Sequence, residues 1–147
     1  MISQIEHVLF FVLVLNAEVR ANMLNLLKKR EYPSVEIAGL DDLLKLLKEK
    51  STAIVLMDSE AVLAYGAGAV SKVRMACREC RLIFLCSQLN RDLVRQAMGL
   101  GAYGCIIEPY AEWELLTMIR PILLDFQLDQ KGKPGKSKRQ GKKTQTT

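Results

Sequence analysis

Four short apolar runs, at residues 8–15, 53–57, 82–85 and 105–107, recur along the chain, and each is followed by a stretch of helical periodicity. Runs of this length without polar alternation are what strands covered on both faces need, because every side chain then meets a helix and not water. Parallel neighbours cannot be joined by a tight turn; they require crossover connections, and the helical stretches supply them. A weaker segment, "SVEIAGL" at residues 34–40, alternates and reads as an edge strand. The pattern predicts an α/β fold in a single domain: a doubly wound parallel sheet of five strands alternating with five helices.

The helices follow from spacing and end signals. "NAEVRANMLNLLKKR" places Val19, Met23, Leu24 and Leu27 on one stripe, with Lys28, Lys29 and Arg30 at the end where positive charge suits the helix dipole. Asp41 or Asp42 caps the next helix, whose Leu43, Leu44, Leu46 and Leu47 face inward. After the strand that ends at Asp58, a Gly-containing loop leads to a helix over about residues 69–80. Asn90 caps a helix reaching about Leu100 and stopped by Gly99 and Gly101. The last helix begins at Glu112 and runs to about Gln127. Pro121 within it removes a hydrogen bond at a cost of about 3 kcal/mol, so a kink or a restart is expected there.

Half of the 147 residues are apolar, and a chain of this length buries roughly 68–70% of its unfolded surface, enough to hold a core without staples. The net charge of +5 is unevenly spread. Residues 131–147 hold seven Lys or Arg and no acid, leaving 14 basic against 16 acidic residues, or −2, over residues 1–130. The division is therefore a folded domain over 1–130 and a basic tail over 131–147, whose Gly, Pro, Ser and Lys cannot repay the entropy of ordering. The tail's charge suits nucleic acid, an acidic protein or an anionic membrane surface, although it has no aromatic side chain for base stacking.

No apolar run approaches the about 20 residues a membrane-spanning helix needs. Glu6 and His7 precede the first run where a signal peptide would be basic. The expectation is a cytoplasmic protein with reduced thiols. Cys77 and Cys80 have redox or zinc spacing, but a tetrahedral site needs four converging ligands, and Cys86 and Cys105 fall on strands. Cys77 is expected to pack and Cys80 to end a helix. His7, the only histidine, is expected at the mouth of the first strand. The glycines at 66 and 68 lack the Lys-Ser/Thr of a P-loop, and no nucleophile–base pairing stands out. These readings predict a protein that is not an enzyme and has no cofactor.

Several spacings carry a resemblance. Asp58 ends the third predicted strand and Gly66 follows eight residues later; "GAYGCIIEPY" is similar to the stretch "GADDYLTKPF"; Cys86 precedes Glu108 by 22 residues. Over about residues 5–127 the chain resembles the receiver domains of bacterial two-component response regulators, the family of the chemotaxis protein CheY. The resemblance implies the flavodoxin-like sheet, and it implies that Asp58 is the position at which a receiver accepts a phosphoryl group from a histidine kinase.

The pocket that phosphotransfer needs is altered. A divalent metal requires oxygen ligands, chiefly carboxylates, and the receiver family supplies an Asp pair after its first strand. In this chain the pair is matched by Leu15 and Asn16, or by Asn16 and Ala17 in the shifted register. The receiver Lys is matched by Glu108, whose negative charge at ~4 Å from a phosphoryl oxygen would repel it by about 4 kcal/mol per unit-charge pair at intermediate dielectric. Cys86 stands at the switch hydroxyl, with Ser87 beside it, and Cys105 stands at the aromatic switch position. The resemblance also implies a signalling or dimerisation face, here Arg91, Arg95, Met98, Tyr103, Tyr110, Trp113 and Met118, residue types that interfaces favour.

The sequence thus reads as a pseudo-receiver: a phosphorylation-independent interaction module whose partner is a histidine kinase, another signalling protein or a second copy. One alternative is a working phosphoacceptor that uses Mg²⁺ held by Asp58, backbone carbonyls and Glu18 or Glu60. A second is a nucleic-acid binder acting through residues 131–147.

Overall fold

A computed structural model describes residues 8–132. Five strands, β1 (Phe10–Leu13), β2 (Ser34–Glu36), β3 (Ile54–Asp58), β4 (Arg81–Cys86) and β5 (Gly104–Ile107), form one parallel sheet in the order β2-β1-β3-β4-β5. Six helices cover it: α1 (Ala17–Lys29), α2 (Leu40–Leu47), α3 (Ser59–Tyr65), α4 (Gly68–Ala76), α5 (Arg91–Gly99) and α6 (Glu112–Gly132). The reversal of strand order at β1 makes the sheet doubly wound, as the apolar runs predict.

Alternation along the strands builds two cores. Phe11, Leu13, Val55, Met57, Leu82 and Phe84 meet the apolar sides of α2, α3 and α4. Phe10, Val12, Ile54, Leu56, Ile83 and Leu85 meet Met23 and Leu27 of α1 and Leu115, Ile119 and Ile122 of α6. A sheet buried on both faces explains why its strands carry no polar alternation.

The structure differs from the sequence reading at several ends. Residues 59–65, expected as loop, form α3, because the Asp58 side chain caps it. The N-cap of α2 is Gly39; Asp41 and Asp42 sit inside its first turn, where their charge still suits the dipole. Leu40 takes up the inward stripe with Leu43 and Leu47, so Leu46 is left 38% exposed. Asn90 is the N-cap of α5 by position but makes no side-chain cap bond; its amide donates to Ser87 Oγ at 3.1 Å. The last helix continues through Pro121 to Gly132 without restarting.

The helix expected to reach Cys80 stops at Ala76. Cys77 is extended, and a turn in which Cys80 N–H donates to the Cys77 carbonyl at 3.2 Å brings the two Cα atoms to 5.4 Å. That spacing lies within disulfide range, and Cys77 and Cys80 are bonded to each other. The expectation of four reduced thiols is corrected to two, Cys86 and Cys105. Among the described residues no helix is long and apolar enough to cross a membrane. The expectations for His7 and for residues 133–147 lie outside the described residues.

Candidate functional site at the carboxyl edge of the sheet

β1 and β3 are parallel neighbours with Leu13 opposite Met57, so the residues that follow β1 arrive beside the end of β3. Asp58 is 2% exposed there. Its Oδ1 accepts the backbone N–H of Leu15 and of Ala61, each at 3.0 Å, and its Oδ2 accepts the N–H of Asn16 at 3.0 Å. One carboxylate therefore caps α3 and ties the turn between β1 and α1 to it.

Asn16 extends the network. Its Oδ1 caps α1 by accepting Val19 N–H at 3.0 Å, and its Nδ2 donates to Glu60 Oε2 at 2.8 Å. Leu15 and Asn16 are the residues after β1 whose backbone N–H groups meet Asp58. Ala17 already belongs to α1, and Glu18 is exposed in its first turn.

The other flank comes from β4 and β5. Cys86 ends β4 opposite Ile107 and is fully buried; its thiol donates to the carbonyls of Ser87 at 3.1 Å and Asn90 at 3.3 Å. Burial, helped by the nearby Cys105 and Glu108, pushes the Cys86 thiol up to about 11, and burial raises Cys105 to about 11 as well. Both stay protonated at neutral pH and are weak nucleophiles. Glu108 follows β5, is exposed, and is fixed by its N–H to the Cys86 carbonyl at 3.0 Å. Tyr110, half-buried against the second core, has its phenol pushed upward by burial and then by the charge of Glu108.

A divalent cation needs oxygen ligands, and those of the Asp58 and Asn16 side chains at this edge are already engaged. The Asp58 oxygens accept three backbone N–H groups between them. Leu15 offers only hydrocarbon, and both polar atoms of the Asn16 side chain are engaged. Among the described residues no group of three or more His, Cys, Asp or Glu is placed to hold a metal ion. The arrangement ties the β1–α1 turn and the starts of α1 and α3 to one buried side chain. The part sequence reasoning missed is α3 with its cap. The signal was present in Asp58, Ser59 and Glu60 ahead of an apolar stretch, a helix-start pattern.

The residues expected on one interaction face divide. Arg91, Arg95 and Met98 lie on α5, where Arg95 pairs with Asp92 at 3.5 Å, and Met98 and Tyr103 line a common groove. Met118 reaches over Gly104 of β5. Trp113, 68% exposed, stands apart from them, beside Lys29 and Arg30 of α1. Those two cations clamp Glu112 at 3.2 Å and 2.6 Å, and the hydrogen bond from Arg30 in particular holds the Glu112 carboxyl below its usual range.

No family model matches the sequence, and no curated protein matches it. Solved structures do. A response regulator from Thermotoga maritima is similar at 16% identity and TM-score 0.66, covering 80% of this chain and 98% of its own. The receiver domain of a sensor histidine kinase from Pseudomonas aeruginosa, described with a magnesium ion coordinated in its active site cleft, is 14% identical with TM-score 0.68, covering 78% and 96%. A CheY-like protein from Pseudomonas aeruginosa is 22% identical with TM-score 0.66, covering 79% and 99%. With the strand order and the carboxylate at the end of β3, these likenesses establish that the fold of this chain is that of the CheY-like receiver domains.

Proposed function

We propose that the chain is a pseudo-receiver, a non-enzymatic signalling module that acts by protein contact and does not use Asp58 as a phosphoacceptor. The observation that supports this reading is the state of Asp58: nearly buried, with both oxygens accepting backbone N–H groups. Three of the carboxylate's about four acceptor sites are filled, so attack on phosphorus has only the remaining lone pair of Oδ2 to use unless a buried donor is stranded at about 1–3 kcal/mol. No neighbouring carboxylate pair recruits the compensating cation, and Glu108 stands where a lysine would attract the phosphoryl oxygens. The likeness to a kinase-borne receiver domain favours a histidine kinase or another signalling protein as the partner, met through the α5 and β5 surface carrying Arg91, Arg95, Met98 and Tyr103.

The test is incubation of the full chain with acetyl phosphate, and separately with beryllofluoride, in the presence of Mg²⁺. Intact mass and amide NMR spectra are expected to stay those of the untreated protein. A mass gain or a spectral shift that disappears in Asp58→Asn would replace this reading with that of a working phosphoacceptor.

A further inference from the structure

At the opposite edge of the sheet, where β4 and β5 begin, lies a groove of about 700 Å³ between the ends of α4 and α5. Its cationic side is Arg74, Arg78 and Arg81, and its apolar side is Met98, Leu100 and Tyr103, which are 42%, 37% and 40% exposed. A second depression shares Arg74, Arg78 and Glu79 and extends the surface along α4 to Met75, 80% exposed. None of the three arginines takes part in an ion pair among the described residues. Glu79 is the one carboxylate on the lining, so the groove carries an excess of two positive charges.

Arg81 is held in place. The Arg81 guanidinium lies 5.3 Å from the Phe126 ring centroid and donates to the Glu79 carbonyl at 2.7 Å. Arg74 crosses Gly101, where a Cβ would come within 2.5 Å of its Cδ, and Gly101 has φ +113°. A glycine is needed there both for the backbone turn and for the passage of the arginine. The Cys77–Cys80 bond closes the turn that presents Arg78. Arginines on an open trough with exposed Met, Leu and Tyr have the make-up of an interface core, which favours Arg, Met and aromatics.

We propose that this groove docks a segment of a partner protein that is acidic and apolar together, its carboxylates meeting Arg74, Arg78 and Arg81 and its apolar side chains meeting Met98, Leu100 and Tyr103. Charge complementarity selects the occupant. The chain's own residues 131–147 carry seven basic residues and no acid, so they are repelled from this surface. A nucleic acid would use the arginines and leave the apolar wall in water. Asp58 is not among the residues that line the groove.

The experiment is fluorescence anisotropy on the full chain with a labelled Glu/Leu peptide of helical repeat, the same peptide with its leucines replaced by serine, and a single-stranded oligonucleotide. The Glu/Leu peptide is expected to bind best. Arg74→Glu with Arg78→Glu, both at exposed positions, is expected to weaken it at least about tenfold. Glu79→Arg is expected to tighten binding, a gain that misfolding cannot mimic. Binding unaltered by the charge reversals would belong to the tail and overturn the proposal. Absence of binding by the Glu/Leu peptide, no gain from Glu79→Arg, or equal affinity for the serine peptide or the oligonucleotide would overturn it too.

Discussion

Asp58 has two acceptor oxygens and three backbone donors aimed at them, from Leu15, Asn16 and Ala61. Removing the carboxylate strands these donors in a region where little water reaches, and it also takes the cap from α3. Asp58→Ala is therefore expected to lower stability by about 2–4 kcal/mol, read as a fall in the urea midpoint, whereas Asp58→Asn keeps one carbonyl oxygen and loses roughly half as much. An Asp58→Ala protein as stable as the parent would mean that the network contributes nothing. The position of Asp58 at a strand end was legible from the apolar run before it. Its particular backbone partners were not, because Leu15 and Asn16 lie 43 and 42 residues away, and no local pattern carries a pairing of that range. The same holds for Cys86, whose rank as the buried strand end, with Ser87 turned to Asn90, depends on its register against β5.

Elements were legible wherever one face decided them. Four of the strands and the inward stripe of α1 follow from burial alone, since a continuous apolar run or a helical stripe needs a covering layer, whereas β2 was legible only from its alternation. Helix ends were less legible. Gly39 opens α2 from an extended backbone, φ −158° and ψ 166°, with no side-chain cap bond, so no side-chain signal distinguishes it from the nearby aspartates. The Cys77–Cys80 turn was hidden for a related reason: helical periodicity from Ala69 onward does not announce where the last turn unwinds. Pro121 tests the balance between propensity and packing. It is exposed, and so is Thr117, whose carbonyl loses its helical donor and can take water instead, while Ile119, Ile122 and Leu123 on the inner side hold the helix to the sheet. Packing overrides the proline but does not erase its cost. Pro121→Ala is expected to raise stability by about 1–3 kcal/mol, measured by the urea midpoint; an unchanged midpoint would show that α6 is already relaxed around the ring.

For the whole molecule, charge is divided between body and tail. Residues 1–130 sum to −2 while residues 131–147 carry seven basic residues, so any attraction to a polyanion resides in the tail and is opposed by the body. Counterion release then sets the form of the binding. Seven phosphate contacts at most give a slope of log K against log salt no steeper than about −6, with no sequence preference. Duplex DNA is expected to bind the full chain weakly at low salt and to release it as salt rises through the physiological range, and a chain ending at Gly132 is expected not to bind. Filter-binding or anisotropy titrations at several salt concentrations read both the affinity and the slope. Equal affinity with and without the tail would place the polyanion site on the body, and the Arg74, Arg78 and Arg81 groove would then be the surface to change next, since it is where the slightly acidic body concentrates unpaired cations.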